Sequence, residues 1–336
     1  MELLEQLVTA FGVSGSEEMI ESIIRENIKP YVDEITRDKL GNLIARKKGK
    51  IPRVMLASHM DEIGLIVKSV DSFGRLFVSF IGGIDSITLL GERVHVQGDK
   101  GIVHGIITTK EIASGLDVKN VPKMDELYIE TGLSKAELTK RGIGVGAIVS
   151  PEQELFYLGT NEILCGKAFD NRIGCYILIE TAKRLKDSEH EVYYVFTVQE
   201  EIGLFGAVTS AYRIEPDWAI VVDVTEVSEM DEIIRTIGKG PCITIKDAAM
   251  LGHKTINDLI KRIAKQKKIP LQPDVSDMGA TDALSISITR GGVPTGVLSI
   301  PVKNIHTTKS IAHKKDIENA IELLAEVLRN PPKDIL

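Results

Sequence analysis

Polar side chains of the kinds that bind metal ions follow four apolar segments of this 336-residue sequence. They are His59 and Asp61 after RVMLAS, Glu200 and Glu201 after YYVFTVQ, Asp223 after WAIVV, and His306 after VLSIPVKNI. A further candidate, Asp170, lies in KAFDNRIG at the start of a predicted helix. Ligands of open α/β sheets bind beyond the carboxyl ends of the strands, so we expect these side chains to lie close together.

Two imidazoles and three carboxylates of this group form a donor set that suits divalent metal ions. The five residues are His59, Asp170, Glu201, Asp223 and His306. Zinc and cobalt accept nitrogen and oxygen ligands of this kind. One bridging carboxylate, with one more carboxylate and one imidazole for each ion, would hold two ions about 3.5–4 Å apart. The pattern therefore predicts a metal site.

Each of these residues also has a simpler explanation when it is taken alone. Asp170 can cap a helix that begins at Asn171, and a single histidine at a strand end is more often hydrogen-bonded structure than a ligand. Adjacent glutamates such as Glu200 and Glu201 usually lie in solvated loops. The joint pattern favours the metal site, because every member follows an apolar strand or begins the helix beside one.

We interpret the remaining histidines as surface residues or as parts of a β-rich module, because they lack this setting. They are His95, His104, His190, His253 and His313. His313, in AHKKDIENA, is predicted to lie at the entrance to the last helix. In SDMGATDA, Asp282 is predicted to cap a helix or to bind near the site, and the glycine-containing turn resembles a loop that lets a substrate backbone approach.

The segments that must position these residues alternate between helix and strand after Cys165. Periodicity and turn residues predict strands over 192–198, 218–222 and 295–300. They predict helices over 171–186, 204–212, 255–267, 283–290 and 315–329. This alternation predicts a three-layer α/β/α domain with a mostly parallel sheet. Near the N-terminus, Ser16 is the predicted cap of a second helix.

Between residues 65 and 164 the pattern changes to short β-rich stretches separated by turn residues, such as RLFVSF and RVHVQG. One short helix, over 134–141, is predicted there. The change indicates a small all-β module inserted into the α/β domain. We therefore predict a discontinuous catalytic domain of residues 1–64 plus 165–336, with the module, residues 65–164, between its two parts.

Composition excludes several classes of partner. The formal net charge of -7 is spread along the chain without a basic stripe, so no nucleic acid partner is expected. No apolar stretch approaches the roughly 20 residues that span a bilayer, and the N-terminus is unlike a signal peptide, so no membrane partner is expected. Cys165, Cys175 and Cys242 form no CxxC pair and are expected to be buried free thiols of a cytoplasmic protein.

Seven motifs along the chain resemble those of one known family. They are, in order, SHMDEIG, AFDNRIG, VQEEIGLFGA, VVDVT, GKGP, GATDA and IHTTKS. The set resembles the tetrahedral (TET), or deblocking, aminopeptidases, which are co-catalytic dimetal exopeptidases and include glutamyl, leucyl and lysyl aminopeptidases. The resemblance covers essentially the whole chain. It implies a zinc-exopeptidase-like α/β domain and a PDZ-like dimerisation domain for the module.

The resemblance implies two divalent metal ions in each subunit, with zinc as the usual ion and cobalt as a possible one. His59, Asp170 and Asp223 would hold the first ion. Asp170, Glu201 and His306 would hold the second, so that Asp170 bridges the two.

The resemblance also implies a mechanism and an assembly. A water bridging the two ions would be the nucleophile, Glu200 would be its general base, and Asp61 would orient His59. One ion would also bind the free α-amino group, so the expected substrates are peptides with a free N-terminus. A homo-oligomer is implied, in the form of a dodecamer built from dimers.

The sequence departs from the family pattern at Phe205, Ala280, Lys303, Asn304 and Ser310. These departures concern the substrate pocket and the support of His306 rather than a metal ligand. An acidic stretch also follows Asp223, and it predicts either a preference for basic N-terminal residues or a solvated loop. Its members are Glu226, Glu229, Asp231 and Glu232.

Two other readings stay open at this point. One is a different hydrolase, either a metal-dependent deacylase or carboxypeptidase-like enzyme, or a glycan hydrolase, which would use two carboxylates without a metal. The other is a metal-binding scaffold without catalytic activity.

Overall fold

A computed structural model describes residues 1–185, 189–227 and 235–331 of the chain. Its strands are β1 (Glu34–Arg37), β2 (Leu43–Lys47), β3 (Lys50–His59), β4 (Gly64–Val70), β5 (Leu76–Ile81), β6 (Arg93–Gly98), β7 (Gly101–Thr109), β8 (Leu127–Glu130), β9 (Ile148–Pro151), β10 (Phe156–Tyr157), β11 (Ile163–Gly166), β12 (His190–Thr197), β13 (Trp218–Glu226), β14 (Cys242–Lys246), β15 (Gln272–Val275), β16 (Thr295–Lys303) and β17 (Ser310–His313). Its helices are α1 (Glu2–Thr9), α2 (Glu18–Ile28), α3 (Lys110–Ala113), α4 (Lys135–Lys140), α5 (Phe169–Arg184), α6 (Phe205–Ile214), α7 (Lys254–Lys267), α8 (Asp282–Ser287) and α9 (Lys314–Arg329). Four residues named in the predictions lie outside the described ranges, namely Lys186, Glu229, Asp231 and Glu232.

Eleven of these strands form one large sheet. Its order is β1-β2-β12-β3-β13-β16-β17-β11-β10; in addition, β14 pairs with β16, and β15 pairs with β14. The central strands β12, β3, β13 and β16 are parallel to one another, so their carboxyl ends meet at one edge. Strand β13 continues past the predicted end at Val222, because its pairing with β16 runs on to Glu226. Asp223 therefore lies within a strand rather than after one.

Helices cover both faces of the large sheet. Helices α1, α2, α5, α7 and α9 pack into one apolar cluster, whereas α6 and α8 pack into another. Successive residues of β3 divide between the two: Val54 and Leu56 belong to the first cluster, and Met55 and Ala57 to the second. This alternation is the two-residue period of a strand that is buried on both faces. The predicted three-layer α/β/α architecture is confirmed.

Strands β4 to β9 close into a six-stranded barrel in the order β4-β5-β8-β7-β6-β9. The barrel has its own apolar core, to which alternate residues of its strands contribute, such as Val94 and Val96 of β6. The helix predicted over 134–141 is α4, whose N-cap is Ser134. The prediction of a small β module between the two parts of the α/β domain is confirmed. Its boundaries at 65 and 164 stay a prediction, since β10 and β11 join the large sheet.

The prediction that Ser16 caps the second helix is wrong. Helix α2 begins at Glu18 and has no capping hydrogen bond from a side chain. The Ser16 hydroxyl instead donates to Oε1 of Gln97 in β6, at 2.8 Å. A contact with the barrel has replaced the local one, and it joins the N-terminal segment to the inserted module.

The three cysteines are buried and free, as predicted. Within the described ranges, no helix has both the length and the apolar character needed to cross a bilayer.

Candidate metal centre

The predicted site residues meet at the edge of the sheet where the parallel strands end. His59 is the last residue of β3 and pairs in register with Thr197, the last residue of β12, which Glu200 follows three positions later. Asp223 lies on β13, the neighbour of β3 on its other side. His306 lies in the loop between β16 and β17. Topology alone therefore collects residues from distant parts of the chain.

Asp170 is placed by an irregular first turn of α5 and does not cap the helix. The backbone of Asp170 and Asn171 is non-helical. The Asn171 Oδ1 accepts from the Gly174 amide at 3.0 Å, and its Nδ2 donates to the Val222 carbonyl at 2.9 Å. A Cβ at Gly174 would lie 2.3 Å from Ser58 Oγ, so only glycine allows the helix to come this close to the sheet. The motif AFDNRIG thus fixes Asp170 at the sheet edge.

The two carboxylate oxygens of Asp170 face different imidazoles. Oδ1 lies 2.9 Å from His59 Nε2, and Oδ2 lies 3.4 Å from His306 Nε2. Two groups of possible metal ligands share Asp170: one adds His59 and Asp223, and the other adds Glu201 and His306. Within each group, one ligand atom from every residue lies within 4.8 Å of the others.

The adjacent glutamates after β12 point to different parts of the site. Glu200 Oε2 lies 3.9 Å from His59 Nε2, whereas Glu201 Oε2 lies 3.4 Å from His306 Nε2. Both glutamates lie in a turn that is closed by a hydrogen bond from the Leu204 amide to the Glu200 carbonyl, at 2.9 Å. Leu204 itself has a left-handed backbone, with φ of 58°, at the start of α6. The two side chains leave this turn in different directions, so the two carboxylates do not share one position.

Asp61 lies behind the site and connects three of its parts. Its Oδ1 accepts from the Glu200 amide at 3.1 Å and lies 3.5 Å from His59 Nδ1. Its Oδ2 accepts from the Ser14 hydroxyl at 2.6 Å and from the Glu201 amide at 3.2 Å. Burial alone would raise the pKa of Asp61, but its interactions with His59 and Ser14 outweigh burial and lower it. Asp61 thus stays charged and contacts both the imidazole and the turn that carries the two glutamates.

Three carboxylates of the site, those of Glu200, Glu201 and Asp223, have too little positive charge around them to offset their burial. Burial raises the pKa of Glu201 to about 8, and repulsion from Asp170 adds to the increase. Burial likewise raises the pKa of Glu200 and of Asp223 well above the usual values, against the attraction of His59. Oε1 of Glu201 is buried and has no hydrogen-bond partner among the residues that the structure describes. Buried carboxylates without partners are costly, so this cluster calls for a cation.

The two histidines respond to the same surplus of negative charge. Burial would lower the pKa of His59, but Glu200 and Asp170 overcome this and raise it well above normal. A hydrogen bond with Asp170 raises the pKa of His306 to about 9. The site therefore suits divalent metal ions. It offers nitrogen and oxygen donors and an unpaired carboxylate oxygen, and the ions would supply the positive charge that its carboxylates lack.

The loop that carries His306 is held by its own backbone and by the barrel. Asn304 and His306 have left-handed backbones, with φ of 57° and 59°. The Asn304 carbonyl accepts from the hydroxyls of Thr307, at 2.8 Å, and Ser310, at 2.9 Å. A Cβ at Gly83 of the barrel would lie 3.1 Å from His306 Nδ1. Ser310 therefore supports the loop where the family usually has an acidic residue.

The site opens into a cavity of about 990 Å³, whose lining includes His59, Asp170, Glu200, Glu201, Asp223 and His306. Residues 276–281, which contain the predicted substrate loop, form part of its wall, as does Glu226. Asp282 begins α8 but is not its cap, which is Thr281. The Thr197 hydroxyl donates to Asp282 Oδ2 at 2.5 Å, and burial raises the pKa of Asp282 to about 6. Phe205 is exposed.

A buried ionic network behind the site was not predicted. Lys167 Nζ donates to both carboxylate oxygens of Glu62, at 2.8 and 2.9 Å, and to the Ser150 hydroxyl at 2.7 Å. Arg172 lies 3.6 Å from Glu62 and donates to the Leu7 carbonyl at 2.7 Å. The only signal in the sequence is that these charged residues lie inside the motifs HMDEIG and GKAFDNRIG.

The prediction for the remaining histidines is met only in part, because His190 is the first residue of β12 in the large sheet and is only partly exposed. His313 caps α9, where its Nδ1 accepts from the Lys315 amide at 3.1 Å. His95 and His104 lie in the barrel, and His253 is exposed at the start of α7.

Comparison with known proteins identifies the family. The M42 glutamyl aminopeptidase family matches residues 41–323. The lysyl aminopeptidase of Pyrococcus furiosus is 33% identical over 336 aligned residues, spanning 97% of this chain and 96% of the relative. The structure of a TET aminopeptidase from a marine sediment archaeon of the Thaumarchaeota superposes with a TM-score of 0.94 at 36% identity, covering 100% of this chain and 98% of that one. The Pyrococcus horikoshii TET1 peptidase, which can assemble into a tetrahedron or a large octahedral shell, superposes with a TM-score of 0.89 at 30% identity, covering 97% and 98%. These similarities confirm the resemblance to tetrahedral aminopeptidases, and the chain belongs to the M42 glutamyl aminopeptidase family.

Proposed function

We propose that this chain is a dinuclear metallo-aminopeptidase that removes residues from the N-termini of peptides. The observation that carries the proposal is the position of Asp170, whose two oxygens face His59 at 2.9 Å and His306 at 3.4 Å. One carboxylate can thus serve two ions. His59 and Asp223 would complete the ligands of one ion, and Glu201 and His306 those of the other. Zinc is the expected ion, and cobalt also suits these donors.

Glu200 is the proposed general base. Divalent ions held by the two groups of ligands would supply Lewis acidity, which would lower the pKa of a water molecule and polarise the carbonyl of the scissile bond. Glu200 faces the cavity but belongs to neither group of ligands, so its carboxylate is free to accept a proton. It takes the proton from the attacking water and gives it to the leaving amine.

Asp61 is proposed to act through its neighbours rather than on the substrate. It is completely buried and receives hydrogen bonds from the backbone amides of both Glu200 and Glu201. Its Oδ1 also lies 3.5 Å from His59 Nδ1, the ring nitrogen that faces away from Asp170. Such a carboxylate fixes the orientation of a ligand imidazole. We therefore assign Asp61 as a positioning residue for the ligand and for the base.

Substrate and metal dependence can be tested together. Removing metal with a chelator should abolish the hydrolysis of aminoacyl anilides, and adding zinc or cobalt should restore it. The same substrates with an acetylated amino group should not be cleaved. Hydrolysis that persists in the chelator would overturn the metal requirement, and cleavage of the acetylated substrates would overturn the assignment as an aminopeptidase. A panel of aminoacyl groups would establish the preferred N-terminal residue.

We also propose that the chain forms a homo-oligomer, a dodecamer built from dimers, in which the barrel contributes to the dimer contact. The assembly of the TET1 relative supports this proposal. So do the exposed apolar side chains of the barrel and its loops, which include Phe73, Leu116, Val121 and Val145. Light scattering should give twelve times the subunit mass of 36.9 kDa. A monomeric mass at working concentrations would overturn the proposal.

A further inference from the structure

Two histidines and a glutamate lie together on the outside of the barrel. His95 of β6 and His104 of β7 are direct partners in the antiparallel pairing of these strands. His95 stands between Val94 and Val96, which point into the barrel core, so its own side chain points outward. Glu152 follows β9, and its amide donates to the Arg93 carbonyl at 2.9 Å. None of these residues lines the cavity of the metal centre.

One oxygen of Glu152 faces both imidazoles. Oε2 lies 2.8 Å from His104 Nδ1 and 3.5 Å from His95 Nε2. The rings stand edge to face, with centroids 5.0 Å apart. One nitrogen from each ring and the carboxylate oxygen all lie within 4.8 Å of one another.

These separations are close to those of zinc ligands. Zinc binds nitrogen and oxygen at about 2.0–2.2 Å, so tetrahedral ligands lie roughly 3.3 Å apart. The distance from His95 to Glu152 already meets this value. His104 lies closer to Glu152 than this value, at 2.8 Å, and its side chain is 71% exposed, which leaves it room to adjust to an ion.

Neighbouring residues orient Glu152 and keep the ring of His95 uncharged. The guanidinium of Arg93 contacts the other oxygen of Glu152, Oε1, and so orients the carboxylate toward the imidazoles. Burial, together with the nearby charge of Lys167, lowers the pKa of His95 to about 4. At neutral pH the ring is therefore uncharged, the form in which imidazole binds metals. Lys167 is itself neutralised by Glu62, at 2.8 Å.

We propose that His95, His104 and Glu152 form a second metal site, the barrel site, which binds one zinc ion independently of the metal centre. The ion connects β6 and β7 to the residues that follow β9, and water completes its coordination. By linking these three segments of the barrel wall, the ion would act as a clip that stabilises the barrel. In the metal-free protein, a hydrogen bond joins His104 to Glu152, and the guanidinium of Arg93 contacts the same carboxylate.

Zinc content measured by elemental analysis tests this proposal. The full-length wild type, His104→Ala and His253→Ala would each be dialysed against the same zinc solution and then against buffer. His253 is the matched control, because it is exposed and belongs to none of the three possible metal-binding groups found among the described residues. We expect His104→Ala to hold one zinc ion per subunit fewer than both the wild type and His253→Ala.

Equal zinc contents in all three proteins would overturn the barrel site. A loss in His253→Ala as large as that in His104→Ala would also overturn it, since binding would then be non-specific. His95→Ala and Glu152→Gln provide a second test, because each should lose the same single ion. Zinc should also raise the melting temperature of the wild type by more than that of His104→Ala, and equal shifts would contradict the proposed clip.

Discussion

Replacing Glu200 by glutamine removes the proposed base while keeping the size of the side chain. The carboxylate of Glu200 lies 3.9 Å from His59 Nε2 and belongs to neither group of metal ligands. Both metal ions should therefore stay bound in Glu200→Gln. The amide cannot accept the proton of the attacking water, so the chemical step should fail while substrate binding is kept.

The size of the loss follows from the position of Glu200. General base catalysis contributes about 10²–10⁴-fold to a rate. Glu200 is only 9% exposed, so bulk water cannot readily take its place as the proton acceptor. We therefore expect kcat to fall by about 10³–10⁴-fold, which corresponds to about 4–5 kcal/mol in activation free energy.

Steady-state hydrolysis of aminoacyl anilides, with metal content measured on the same samples, provides the assay. Glu226→Gln is the matched control, because Glu226 lines the same cavity but is exposed at the end of β13. The control should keep a kcat close to that of the wild type. If Glu200→Gln keeps both ions and also turns over at close to the wild-type rate, the assignment of the base is wrong.

Three further predictions concern the support of the site. Gly83→Ala should weaken binding of the ion assigned to His306 by about tenfold, because the new Cβ would lie 3.1 Å from His306 Nδ1. Metal titration measures this affinity. Lys167→Met should lower the free energy of unfolding by about 3 kcal/mol, because it leaves the buried Glu62 carboxylate without its main partner. Chemical denaturation measures this loss of stability. Metal binding should release protons, and metal affinity should rise with pH up to about 9. The reason is that in the metal-free protein the pKa of Glu201 is about 8 and that of His306 about 9, so both ligands must lose a proton to bind. Calorimetry in buffers of different ionisation enthalpy measures the number of protons released.

Each of these predictions has a control or a contradicting outcome. Gly144→Ala places a methyl group in open space on the barrel and should leave metal affinity unchanged. Lys183→Met removes an exposed lysine and should alter stability only slightly. If Lys167→Met is no more destabilising than Lys183→Met, the buried network contributes little. Metal affinity that does not change between pH 6 and 9 would contradict the protonated state of the ligands.

The convergence of the site residues was predictable because it depends on topology. An apolar strand followed by a polar residue can be recognised locally, and parallel strands bring such residues to one edge. Asp223 shows that this convergence depends little on where a strand is predicted to end. Strand β13 runs three residues past Asp223, yet Asp223 still faces the site because β13 lies between the parallel strands β3 and β16.

The support of the site was harder to predict because it comes from residues distant in sequence. Gly83 approaches His306 from the barrel, and Ser16 reaches Gln97 instead of capping its own helix. Neither contact leaves a periodic or compositional signal. The sequence near the ends of the module does not show which of its loops turns toward the α/β domain.

Buried charge was the second limit of prediction from sequence. From the sequence, Lys167 and Glu62 would be expected at the surface, since charged residues are rarely fully buried unless they are paired. Their pairing joins segments on either side of the inserted barrel, 105 residues apart in sequence. Only the three-dimensional structure reveals that the ammonium of Lys167 and the carboxylate of Glu62 are hydrogen-bonded to each other.

The metal content of the subunit tests the proposed dinuclear centre most directly. It is best measured in His104→Ala, in which the barrel site does not contribute. After dialysis against zinc, elemental analysis of this protein should give two ions per subunit. Adding Asp170→Ala should remove both ions, because the two oxygens of Asp170 face the two groups of ligands. A single ion in the parent protein, or two ions that survive the loss of Asp170, would contradict a shared carboxylate at the centre of the site.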